Sequence, residues 1–117
     1  MSALADNLGE GSKVGIVTSR MGSIGANGSG RMYSYRMSKA AANMLGVNLH
    51  HQLKPKGVSV VLLHPGTVAT EMTRGARDWG SFTKPAEAAA GLAARLDALR
   101  PETPIEFRHA DGSLLPW

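Results

Sequence analysis

Tyr35 and Lys39 stand four residues apart in Tyr35-Arg36-Met37-Ser38-Lys39. On a helix that spacing puts a phenol and an ammonium on one face, one turn apart. A phenol ordinarily titrates near ~10 and is a poor acid or base at neutrality, but a fixed positive charge beside it favours the phenolate. Lys39 is therefore expected to tune Tyr35 for proton transfer. Tyr33 is a rival phenol, but four residues on it meets Met37 rather than a cation. The spacing alone is a weak signal, since a Tyr and a Lys on any solvated helical face match it by chance. Its surroundings add to it: Ser19 ends an apolar run before the pair, and Pro65-Gly66-Thr67-Val68-Ala69-Thr70 follows the next such run.

These residues need elements to hold them. Residues 13–19, Lys-Val-Gly-Ile-Val-Thr-Ser, form an apolar run without polar alternation, the pattern of a strand covered on both faces in a parallel sheet. Residues 20–34 are polar and rich in Gly, Ser and Asn, which is turn chemistry. A long helix is predicted from about Tyr33 to Leu53, with Ser34 as its N-cap and Lys54-Pro55-Lys56-Gly57 as its close. Met37, Ala41, Met44, Leu45, Asn48 and Leu49 recur at three- and four-residue steps and predict a stripe facing a core, while Ala40, Ala41 and Ala42 would let another element come close. Residues 58–64, Val-Ser-Val-Val-Leu-Leu-His, read as a second buried strand, and the β-loop-α-β order predicts parallel pairing. Residues 67–84 carry few periodic cues. A second helix is predicted at about 85–99 with Pro85 in its first turn, then a short strand at Ile105–Arg108 and a turn at Asp111-Gly112. The fold class is α/β.

Composition excludes several functions. The chain has 117 residues, 43% hydrophobic and 19% charged, a globular balance with room for one modest core. It has no cysteine, so neither a disulfide framework nor a thiolate metal site is available. The formal net charge of +4 invites a nucleic-acid reading, but Lys and Arg are scattered and lack interleaved aromatics, so no nucleic-acid partner is expected. No apolar run approaches the ~18 residues that span a bilayer, and the first ten residues lack a basic, then apolar, leader pattern. No membrane partner is expected, and a cytoplasmic location is the default. No zinc spacing, carboxylate pair or G-x-S-x-G nucleophile elbow is present.

The order Ser, then Tyr-x-x-x-Lys, then Pro-Gly-x-Val-x-Thr resembles the short-chain dehydrogenase/reductase family over essentially the whole chain. Thr18 to Ile24, Tyr35 to Ala42 and Asp111 to Trp117 look most like its C-factor and sniffer-type carbonyl-reductase subgroup. The resemblance implies a partial Rossmann-type parallel sheet, the C-terminal half of a doubly wound fold. Residues 1–117 would form the catalytic half of the domain, with the N-terminal nucleotide-binding half absent. It implies NADP or NAD as cofactor, a small-molecule carbonyl or alcohol as substrate, and a homo-oligomer formed through helix 34–53. Carried over by motif, Tyr35 exchanges the proton at the substrate oxygen, Ser19 hydrogen-bonds that oxygen, and Lys39 also reaches the nicotinamide ribose. Pro65, Gly66, Val68 and Thr70 would hold the carboxamide end of the cofactor.

Departures from the family pattern are informative. Ser19 and Tyr35 lie sixteen residues apart, longer than the usual gap, and Ser23 is a second candidate for the serine. The T-G-x-x-x-G-x-G loop that binds pyrophosphate at a helix N-terminus is expected to be absent: residues 13–25 imitate it, but Ser19 and Ser23 stand where its first two glycines belong. The family's Asn-Ala-Gly segment has no match in residues 1–12, where Asn7 is only a loose counterpart. An alternative reading is therefore a catalytically inactive remnant or interaction module. Among the remaining residues, His50 and His51 are expected to complement the helix C-terminus rather than bind metal, and His64 to be a satisfied strand-end residue. Glu71-Met72 resemble the start of the family's substrate lid or a solvated turn. Trp79 and Trp117 are packing or interface aromatics, and Met37, Met44 and Met72 are core filler or pocket walls.

Overall fold

The computed structural model describes residues 6–117. The leader-free reading of Met1 to Ala5 lies outside them. Three strands, all parallel, form one sheet in the order β1-β2-β3: β1 is Lys13–Val17, β2 is Ser59–His64 and β3 is Phe107–His109. Helix α1, Tyr33–Leu53, connects β1 to β2, and α2, Pro85–Asp97, connects β2 to β3. Lys13 aligns with Ser59 and Val17 with Leu63, while on the other edge His64 aligns with His109. The C-terminal ends of the strands thus come level on one side of the sheet.

The run Ser-Val-Val-Leu-Leu makes β2 the central strand, buried from Ser59 to Leu63. Side chains alternate across a strand, so its apolar residues serve two layers. Val60 belongs with Leu49, Leu53 and Val58 in a cluster that also takes in Val14, Ile16 and Ile105. Val61 and Leu63 pack instead with Leu99, Leu92 and Leu96 from α2 and the residues after it. The central strand β2 is thus covered on both faces, whereas β1, expected to be covered likewise, is an edge strand with no buried residue, its Val17 being 55% exposed.

The stripe predicted to face the core does not do so. Met37 is 68% exposed, Met44 62% and Leu45 48%, and Ala41 and Asn48 are exposed with them; of that stripe only Leu49 is buried. The sheet takes the face carrying Asn43, Gly46, Leu49, His50 and Leu53. Close approach decides the matter: a Cβ at Gly46 would stand 2.6 Å from both Leu62 methyls, so the helix docks through this glycine rather than through Ala40–Ala42.

Other boundaries shift. Ser34 lies inside α1, and the N-cap is Met32 in a left-handed conformation (φ 62°, ψ 58°) without a side-chain cap. The Arg36 amide donates to the Met32 carbonyl at 3.0 Å. The third strand, Phe107–His109, starts two residues and ends one residue later than predicted, and β1 ends at Val17, although the Thr18 amide still donates to the Leu63 carbonyl at 2.8 Å. His50 is buried, its Nδ1 without a partner among the described residues; burial first, then the neighbouring His51 and Lys54, push its pKa down. It is a core residue in the last turn of the helix, beside His51.

Candidate active site

The ends of β1 and β2 and the start of α1 meet around one cleft of about 850 Å³. Ser19, Tyr35, Pro65, Gly66, Val68 and Thr70, drawn from three separate stretches of sequence, all line it. Lys39 stands just behind: its Nζ lies over the Tyr35 ring, 5.5 Å from the centroid, within cation–π range. Among the described residues, Arg20 is the only Lys, Arg, Asp or Glu that lines it.

Local geometry explains the meeting. After β1 the chain makes a tight turn over Arg20–Gly22, in which the Ser19 carbonyl accepts from the Gly22 amide at 2.8 Å. Ser19 is extended (φ −149°, ψ 148°), and its Oγ accepts from the Met21 amide at 3.1 Å, which leaves its own O–H to donate. The turn is pressed onto α1. A Cβ at Gly22 would lie 2.7 Å from the Lys39 carbonyl carbon, and buried Thr18 donates through Oγ1 to the Lys39 carbonyl at 3.3 Å. Serine and lysine are thereby fixed relative to each other through backbone.

The alternative candidates Ser23 and Tyr33 lie elsewhere. Ser23 is buried, donates to the Trp117 carbonyl at 3.1 Å, accepts from the Ala26 amide at 3.0 Å and does not line the cleft. It ties the loop to the C-terminal segment, where Trp117 also stacks on Phe107 with ring centroids 5.8 Å apart. Tyr33 is 78% exposed and lies outside the cleft.

The Pro65–Thr70 segment is held from the far side. Thr73 Oγ1 donates to the Val68 carbonyl at 2.6 Å and accepts from the Thr70 amide at 3.0 Å; the Trp79 indole donates to the Thr70 carbonyl at 3.2 Å. Residues 67–69 also pair with Thr83. Trp79 thus has a specific role in bracing this wall. Met72, 90% exposed, lines the cleft from a turn over Glu71–Thr73, where Glu71 pairs with Arg74 at 3.0 Å. Met44 borders a separate apolar groove of about 300 Å³ between α1 and Trp117, and Met37 borders neither cavity.

His64 and His109 share the floor of the cleft, their rings edge to face with centroids 5.1 Å apart. His109 escaped the sequence reading. Its signal was register: the last residues of neighbouring parallel strands gather at the carboxyl edge of the sheet, where ligands of such folds bind. Gly66 has φ +87°, a conformation that favours glycine, and a Cβ there would sit tightly, 3.2 Å from the His109 ring. Among the described residues no group of three His, Cys, Asp or Glu side chains could hold a metal ion, and no helix is long and apolar enough to cross a membrane.

Known proteins resemble this chain in sequence and fold. The chain is 56% identical over all 117 residues to a Rhodococcus protein named 1-hydroxy-2-glutathionyl-2-methyl-3-butene dehydrogenase, of which it spans 52%. It is 43% identical to the C-signal protein of Myxococcus xanthus, across 99% of this chain and 69% of that one. In structure it matches an NADPH-bound carbonyl reductase from chicken fatty liver with a TM-score of 0.80 at 30% identity, covering 90% of this chain and 42% of the reductase. It therefore spans about half the length of the Rhodococcus relative and of that reductase. Residues 1–81 match the family model for short chain dehydrogenases, and with the parallel sheet and the cleft that gathers the Ser, Tyr and Pro-Gly segments, the chain belongs to the short-chain dehydrogenase family.

Proposed function

We propose that residues 1–117 are the catalytic half of an NAD(P)-dependent oxidoreductase acting on a small carbonyl or alcohol. The observation that carries this reading is the convergence of Ser19, Tyr35 and the Pro65–Thr70 segment on one cleft, with Lys39 over the Tyr35 ring. When bound, the nicotinamide supplies or accepts the hydride. The residues present suit that end of the cofactor: Gly66, whose φ of +87° favours glycine, keeps a bare backbone wall in the cleft between Pro65 and Val68. The NADPH in the avian carbonyl reductase favours NADP, with NAD as the alternative. A pyrophosphate loop is not among these 117 residues.

Tyr35 gives a proton to the carbonyl oxygen during reduction and takes it from the alcohol during oxidation. The Lys39 ammonium stabilises negative charge on the phenolic oxygen. Ser19, whose Oγ already accepts from the Met21 amide, donates its O–H to the same substrate oxygen as charge develops there. The first substrate to try is the alcohol in the Rhodococcus relative's name.

The test is a fluorescence titration of the chain with NADPH and NADH, followed by a turnover assay of wild type and Tyr35→Phe. Binding, and turnover that collapses in Tyr35→Phe, supports the proposal. No binding by a chain that is folded by circular dichroism overturns it for this chain.

A second reading has its own observation, the exposed apolar face of Met37, Met44 and Leu45 on α1. A chain that associates through this face is a homo-oligomer, and as an interaction module it needs no turnover. Light scattering after size exclusion distinguishes it: Leu45→Lys converts an oligomer to monomer, whereas a wild-type monomer rules the reading out.

A further inference from the structure

The β1–β2 ladder ends for a reason that involves the catalytic turn. The Thr18 amide donates to the Leu63 carbonyl, and the next rung in a parallel pair calls for an N–H from residue 65. Pro65 has none. The chain leaves the ladder at this point, and the amide of Arg20 is taken by a side chain instead: His64 Nδ1 accepts it at 3.1 Å. Ser19 is the residue between these two anchored amides.

We propose that His64 is a positioning residue for Ser19, holding the Ser19–Arg20 peptide through an unprotonated Nδ1 so that the serine hydroxyl faces the cleft beside Tyr35. This deepens the oxidoreductase reading, on which the importance of Ser19 rests. The bond requires one tautomer, neutral with the proton on Nε2. The His109 ring packs edge to face against that of His64, at 82° with centroids 5.1 Å apart, and helps hold it in place. The charged or titratable groups facing His64 are His109 from β3, Asp111 from the turn beyond it and Arg20 from the turn after β1. Burial, then His109 and Arg20, hold its pKa at about 4 against the opposing pull of Asp111, so the Nδ1 lone pair stays free through the neutral range.

Imidazole nitrogen NMR on the chain tests this without cofactor or turnover. At neutral pH His64 is expected as the Nε2–H tautomer, and the Arg20 amide as protected from hydrogen exchange. In His64→Leu that amide should exchange roughly tenfold faster while the amides of Val60 to Leu62 keep their rates. His64→Asn, whose Oδ1 can stand near the place of Nδ1, should restore most of the protection. An Nδ1–H tautomer in the wild type, or an Arg20 amide indifferent to His64→Leu, overturns the proposal. Should His64→Leu fail to fold, the wild-type tautomer still decides. A chain that never turns over a substrate leaves this result standing, so the two proposals fail separately.

Discussion

The two ends of α1 are built for different work. At its start, Tyr33, Ser34, Tyr35 and Met37 are exposed, the N-cap Met32 is left-handed, and no side chain caps the first turn. At its end, Leu49, His50 and Leu53 are buried, and Leu49 and Leu53 sit in the cluster with Val58 and Val60. One end exposes reactive groups to a cleft, and the other anchors the rod to the sheet. The proposed catalytic residues and the stabilising ones thus lie on one helix but do not compete for the same face.

That division can be broken by substitution. Tyr35→Phe removes only a hydroxyl at the open end; it should cost about 10²- to 10⁴-fold in turnover and less than about 0.5 kcal/mol in unfolding free energy, read from enzyme assays and urea titration. Leu49→Ala at the buried end should do the reverse. Urea unfolding is expected to show a loss of about 2–5 kcal/mol, with the cleft chemistry of the remaining folded chain intact. Gly22→Ala should link the two ends, because its Cβ would press on the Lys39 backbone at 2.7 Å. It is expected to cost about 1–3 kcal/mol by thermal unfolding and also to lower turnover, by moving Ser19 relative to Lys39.

Acid sharpens the comparison further. His64 has a folded pKa of about 4 against an ordinary 6.5, so between those values the unfolded chain binds a proton that the folded chain does not. Its contribution to stability is complete above about 6.5 and is lost as pH falls toward 4. Buried His50, also shifted down, acts in the same direction. Thermal midpoints measured across this window should fall with pH, and His64→Asn should flatten part of the slope.

Much of this was legible in the sequence. Unbroken apolar runs revealed two strands, and the three- to four-residue periodicity of 33–53 revealed the helix, because both signals are local. The residues of the cleft were legible from their order along the chain. Which face of α1 is buried was not, since Met37, Met44 and Leu45 satisfy the helical period as well as Leu49 and Leu53 do, and the choice depends on Gly46 meeting Leu62 across the fold. His109 was hidden because its place depends on register with His64, a contact 45 residues away. That Ser23, the second candidate beside Ser19, is tied to the Trp117 carbonyl was hidden too, because it depends on a contact with the far end of the chain.

The central claim is that this cleft receives the nicotinamide end of a dinucleotide beside Tyr35. Amide NMR of the chain titrated with reduced nicotinamide mononucleotide tests it most directly, because the probe lacks the adenylate half and needs no pyrophosphate loop beyond these residues. The account predicts shifts concentrated at Ser19, Tyr35, Lys39, Gly66, Val68 and Thr70, with little change at Leu49 and Leu53. A folded chain whose cleft amides stay still, or whose shifts gather on the exposed face of α1, would contradict it.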